Sequence, residues 1–156
     1  MLFDKEDPRY EGSFLVGPSI DPATGKVLIT AHDRPLIHTP EVTVIPGTER
    51  DGTIWGDVNQ EDGARCNKWT FDKSLTNAME NDFHIFRLAD VYLMKAECLI
   101  RTGGNNAEAT RLVNAVRERA YGNSNHNYAS VDLEKIALER KFELAWECHA
   151  RQDNIR

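Results

Sequence analysis

The sequence predicts a mostly α chain: a tetratricopeptide-like helical hairpin plus a further long helix, behind an irregular half that carries short strands. Three observations lead there. All six prolines lie before residue 50. Beyond residue 84, apolar residues recur at spacings of three and four, the period that lines one face of a helix. Ahead of it, apolar runs are short, β-branched and bounded by Pro or Gly, as strands are. The expected division is an irregular, loop and short-strand region over 1–83 and a helical region over 84–156, together one truncated domain.

In the first half, Lys26-Val-Leu-Ile-Thr30 and Glu41-Val-Thr-Val-Ile45 are the expected strands, and 17–25 and 46–68 the expected loops. Phe83-His-Ile-Phe86 then runs extended into a first helix, Arg87 to Arg101, on which Leu88, Val91, Tyr92 and Leu99 make a broad apolar surface. Gly103 and Gly104 stop it, because glycine accepts the left-handed conformation past a helix end. A second helix follows from about Ala107 to Tyr121, with Asn105 or Asn106 as N-cap and Ala109, Leu112, Val113, Val116 and Ala120 on its buried face. The pair is about 34 residues long, the size of one tetratricopeptide unit. A third helix, from Asp132 to about His149 with Ser130 as cap, carries Leu133, Ile136, Ala137 and Leu144 on one face and Leu138, Phe142 and Ala145 on another. It is expected to pack on both sides, with Trp146 in the core. One hairpin cannot bury such faces alone, so the chain reads as incomplete and prone to self-association.

Composition narrows the function. A net charge of −6 argues against nucleic acid, whose phosphates require clustered Lys and Arg. Three cysteines without CxxC spacing give neither a disulfide framework nor a zinc site; Cys98 and Cys148 fall in helical patterns and are expected to be small buried residues. The histidines 32, 38, 84, 126 and 149 are scattered, no HExxH occurs, and neither metal nor cofactor is expected. Gly25-Lys26 fails as a phosphate loop, because Ile20 and Val27 occupy the positions where Gly and Ser or Thr are required. The start, Met1-Leu-Phe-Asp-Lys-Glu-Asp, lacks the basic and apolar stretches of a signal peptide, so any export signal is expected outside this chain.

Three segments, in order, resemble the SusD/RagB family: Arg87-Leu-Ala-Asp-Val-Tyr-Leu-Met-Lys-Ala-Glu97, Leu112-Val-Asn-Ala-Val-Arg-Glu-Arg-Ala120 and Glu139-Arg-Lys-Phe-Glu-Leu-Ala-Trp-Glu147. His149-Ala-Arg-Gln-Asp-Asn-Ile-Arg156 is similar to the family's continuation, and Asp4-Lys-Glu-Asp-Pro-Arg9 to its acidic-Pro-Arg turn. Two departures are local: Cys148 stands where the family usually has Gly, and Ala150 where a basic residue is common. The resemblance implies the C-terminal part of a surface lipoprotein of the outer membrane. Such a protein captures a glycan or oligosaccharide, in some members a peptide, and passes it to a SusC-like TonB-dependent transporter without bond chemistry.

Flat rings with a polar edge stack on sugar faces, so loop aromatics are the candidate ligand contacts. Trp55, with Asp57 and Asn59 as hydroxyl partners, and Trp69 qualify. The charged set Glu139, Arg140, Glu143, Glu147, Arg151 and Asp153 reads as structural ion pairs between helices. Glu143 and Glu147 as the acid pair of a carbohydrate-active hydrolase is the lesser reading. Cys148 beside His149 is a poor nucleophile pair, because adjacent helical side chains point about 100° apart. A free-standing helical-repeat adaptor for a protein segment is the alternative function.

Overall fold

The computed structural model describes residues 3–42, 61–69 and 83–155 and, between 44 and 58, the pairing of four two-residue strands. The chain forms two compact units, one of Phe14–Lys68 and one that joins Leu2–Ser13 to Trp69–Arg156. Residues 3–13 thus pack with the helices although they lie far from them in sequence.

The first unit is built from short antiparallel pairs: β1 (Phe14–Leu15) with β8 (Arg65–Cys66), β2 (Gly17–Pro18) with β3 (Ile37–His38), β4 (Val44–Ile45) with β7 (Asp57–Val58), and β5 (Glu49–Arg50) with β6 (Thr53–Ile54). Leu28 N donates to Ser19 O at 2.8 Å and Leu36 N to Leu28 O at 2.7 Å, so 17–38 runs as a small meander. The expected strand 26–30 is present only as isolated bridges, Ile20 to Val27 and Ile29 to Pro35. The loops expected at 17–25 and 46–68 in turn carry β2 and β5 to β8: paired backbone replaces apolar alternation as the signal, and backbone pairing leaves no mark on composition.

In the second unit, α1 (Arg9–Ser13) is followed, after the first unit, by α2 (Leu88–Arg101), α3 (Asn106–Tyr121), α4 (Leu133–Glu143) and α5 (Ala150–Ile155). Asn105 is the cap of α3, its side chain accepting from Glu108 N. Asp132, not Ser130, caps α4 by accepting from Lys135 N at 2.8 Å. Gly104 N donates to Leu99 O at 2.7 Å across the turn after α2, and Gly122, at φ 70°, ends α3. The core gathers Leu93 and Ala96 of α2, Ala109, Leu112, Val113 and Val116 of α3, Val131, and Ile136 of α4.

Three further expectations need correction. The third helix does not reach His149: it ends at Glu143, and a turn leads to α5. Trp146 lies in that turn at φ 67° and is 42% exposed, not core. Cys98 and Cys148 are exposed rather than buried. The α4 result has a physical reason. Its buried positions are Ile136, Glu139, Arg140, Phe142 and Glu143, while Leu133 and Leu138 face outward. Burying the charged face inverts what an apolar periodicity argument assumes. On α2, likewise, Leu88 and Val91 are exposed and Leu93 and Ala96 take the core.

Candidate functional site

The extended stretch before α2 places three rings together. Arg87 is the N-cap of α2 with φ −144° and ψ 161°, so the residues before it run out from the helix. The Trp69 and Phe83 ring centroids lie 4.7 Å apart, Trp69 and His84 lie 4.9 Å apart, and Phe83 stacks on His84 with an 11° interplanar angle. These are ordinary separations for attractive aromatic pairs. Phe83 is about half exposed and Trp69 partly so, which leaves an aromatic edge for a ligand ring. Of the other sequence candidates, Trp55 and Asn59 lie outside the described residues. Asp57 pairs with Ile45 in strand register, and its side chain is likewise outside them.

Beside the rings begins a buried chain of charges. Nε and Nη2 of Arg87 donate to the two carboxylate oxygens of Glu147, at 2.7 and 2.8 Å, while Nη1 reaches Glu143. His84 Nε2 sits 3.1 Å from the same Glu147 carboxylate. Glu143 also takes Arg119 Nη2 at 2.6 Å and Arg9 Nη1 at 3.1 Å. Arg9 continues to Glu139 at 2.5 Å and to Asp7 at 2.6 Å, and Arg117 reaches Glu139 at 2.7 Å from the other side. Phe142 lies under the Arg9 guanidinium, 5.8 Å from ring centroid to carbon. Separately, Arg140 joins Asp90 of α2 at 2.7 Å and Asp153 of α5 at 3.0 Å. The structure therefore gathers Arg140, Glu143, Glu147 and Asp153 into pairs, whereas Arg151 is exposed and joins none among the described residues. Glu147 does so from the turn after α4 and not from a shared helix face.

Charge states follow from this geometry. Burial works to raise the carboxyl of Glu143, but the hydrogen bond from Arg87 and the charges of Arg87 and Arg119 outweigh it and hold it below its ordinary value. Asp7 behaves alike: burial raises it, and the hydrogen bonds from Arg9 win. A general acid for glycoside cleavage needs a raised value, so Glu143 has the wrong disposition for that role. Among the described residues no cluster of His, Cys, Asp or Glu is arranged to hold a metal ion.

A family model described as the SusD family matches residues 2–156. The chain belongs to this family. A curated relative, the SusD-like protein P25 of Formosa agariphila, is 48% identical over 77 residues, covering 46% of this chain and 14% of that protein. A crystal structure of a SusD superfamily protein from Bacteroides fragilis aligns with a TM-score of 0.51 at 23% identity, over 97% of this chain and 26% of that one. This chain thus spans about a seventh of the curated relative's length and about a quarter of the solved chain's. The family resemblance of the three helical segments is accordingly shown, and the mostly helical fold with few short strands is that of the superfamily.

The charged residues that meet α4 from other elements, Arg9 with its partner Asp7, Arg87, Asp90, Arg117 and Arg119, lie outside the set the sequence singles out, as does the aromatic Phe83. The Asp-Pro-Arg signal was visible, but its partners lie some 130 positions away. Such a separation leaves no periodic trace.

Proposed function

We propose that this chain serves in a nutrient-binding protein of the outer membrane, one that captures a glycan or oligosaccharide and delivers it to a SusC-like TonB-dependent transporter. The observation that carries the reading is the family match over residues 2–156. Trp69, in its cluster with Phe83 and His84, supplies a ring face for a sugar, and Trp55, Asp57 and Asn59 are proposed as further contacts. The protein acts by binding alone: the Glu143 and Glu147 carboxylates are occupied by arginines, as structural pairs require. Its place is the outer surface of the cell, as a lipid-anchored component.

The test is affinity electrophoresis of the chain through gels holding single polysaccharides, paired with a reducing-end assay on the same glycans. Retardation without new reducing ends is the expected result. Release of sugar that disappears in Glu143→Gln would establish the hydrolase instead, and a peptide ligand with no glycan retarded would favour the adaptor.

A further inference from the structure

Between α4, the turn after it and α5 lies a pocket of about 360 Å³, within the range of small-molecule sites. We propose that it is a second ligand site, one that takes a single neutral, polyhydroxylated ring such as a hexopyranose. The floor is apolar, formed by Ala137, Leu138 and Leu144. Trp146 walls it, and its placement is costly: a non-glycine residue at φ 67° holds the ring where it is 42% exposed. A buried Trp would recover far more apolar area, so the turn forgoes core packing to present the ring to the pocket.

The rim decides the ligand class. Glu134, Lys141 and Asn154 stand exposed around the floor with no side-chain hydrogen bond or ion pair among the described residues. Together they offer a carboxylate acceptor, an ammonium donor and an amide that is both, the groups that bond hydroxyls. Charge is balanced among the lining residues as well: Glu134 offsets Lys141, and the Arg140 guanidinium at the wall is paired with Asp153. A net anion or cation would find no surplus of opposite charge there, whereas a neutral ring stacks on the indole and bonds at its edge. This inference rests on the pocket's own lining and is separable from the role proposed for Trp69.

The experiment uses the whole chain and methyl hexopyranosides as probes, reading the three indole N–H signals by nuclear magnetic resonance, each assigned by substitution to Phe. A saturable shift of the Trp146 signal is expected at millimolar sugar, its midpoint raised about tenfold or more in Lys141→Ala, with circular dichroism unchanged. Lys141 is exposed and its variant keeps the indole, so the fold and the signal both survive the substitution. Shifts confined to Trp69 would overturn the second site while leaving the proposed function standing; shifts confined to Trp146 would support the second site and overturn the contact proposed for Trp69. A Trp146 signal that moves with protein concentration and not with sugar would show the pocket to be covered by another copy, and would likewise overturn the proposal.

Discussion

Arg9 is the residue whose loss the structure makes most informative. Its guanidinium, with the side chain only 10% exposed, bonds Asp7, Glu139 and Glu143 and so ties the segment before the first unit to α4. In Arg9→Met the three carboxylates fare differently. Glu139 keeps Arg117, and Glu143 keeps Arg87 and Arg119. Asp7, 1% exposed, loses both side-chain bonds from Nε and Nη2. Removing one partner of a buried pair costs about 3–5 kcal/mol because a charge is left uncompensated. Two of the three carboxylates retain partners, which puts the expected loss near the lower figure, about 3 kcal/mol. With a urea slope of ~2–3 kcal/mol/M, the midpoint should fall by about 1–1.5 M. Equilibrium urea unfolding followed by far-ultraviolet circular dichroism reads this directly. The double variant Asp7→Asn with Arg9→Met should recover part of the loss, since it removes the orphaned charge. A shift under about 0.3 M for Arg9→Met would refute the reasoning: the network would then be a surface feature of little weight.

Other outcomes follow from the same contacts. Asp7 and Glu143 are held below their ordinary values of 3.8 and 4.5, so their stabilisation is full above those values and is lost as pH falls through the lower folded values. Urea midpoints should therefore be level near neutrality and drop below about pH 4.5; in Arg9→Met, where one cause of the lowering is gone, the drop should be smaller. Cys148 is exposed at φ 64°, a conformation that costs a side chain about 1 kcal/mol or more and that glycine takes freely. Cys148→Gly should raise stability by ~0.5–1 kcal/mol in thermal unfolding, and a loss would contradict the strain argument. Leu93 is fully buried in the helical core, so Leu93→Ala should cost about 2–5 kcal/mol. Phe83, Ile85, Phe86, Leu88 and Val91 are all exposed near the start of α2. Sedimentation velocity should show self-association that Leu88→Glu with Val91→Lys reduces.

How far the sequence revealed this protein depended on how local each cause is. The hairpin was legible almost to the residue: Asn105, Gly103, Gly104 and Gly122 are punctuation whose effect is confined to one turn, and Leu112 and Val113 each lie about one helical turn from Val116. The third helix was overextended because its last turn is composed of good helix formers, and what ends it is tertiary. Glu147 must turn back to meet Arg87, which Leu144-Ala-Trp-Glu147 cannot announce by propensity. Trp146 was misplaced for the same reason, its apolar character suggesting core while the turn carries it outward. The buried face of α4 was inverted because Glu139 and Glu143 are paid for by arginines on other elements, Arg9, Arg87 and Arg117 among them. The ring cluster was half visible, through Trp69, and Phe83 joined it only through the extended approach to α2.

The central claim is tested most directly by isothermal titration of the chain with the oligosaccharide that retards it best, alongside Trp69→Ala. Saturable binding that the substitution weakens by about tenfold or more, with no heat of a continuing reaction, is the result predicted here. Equal binding by both proteins, or a steady heat signal showing turnover, would contradict it.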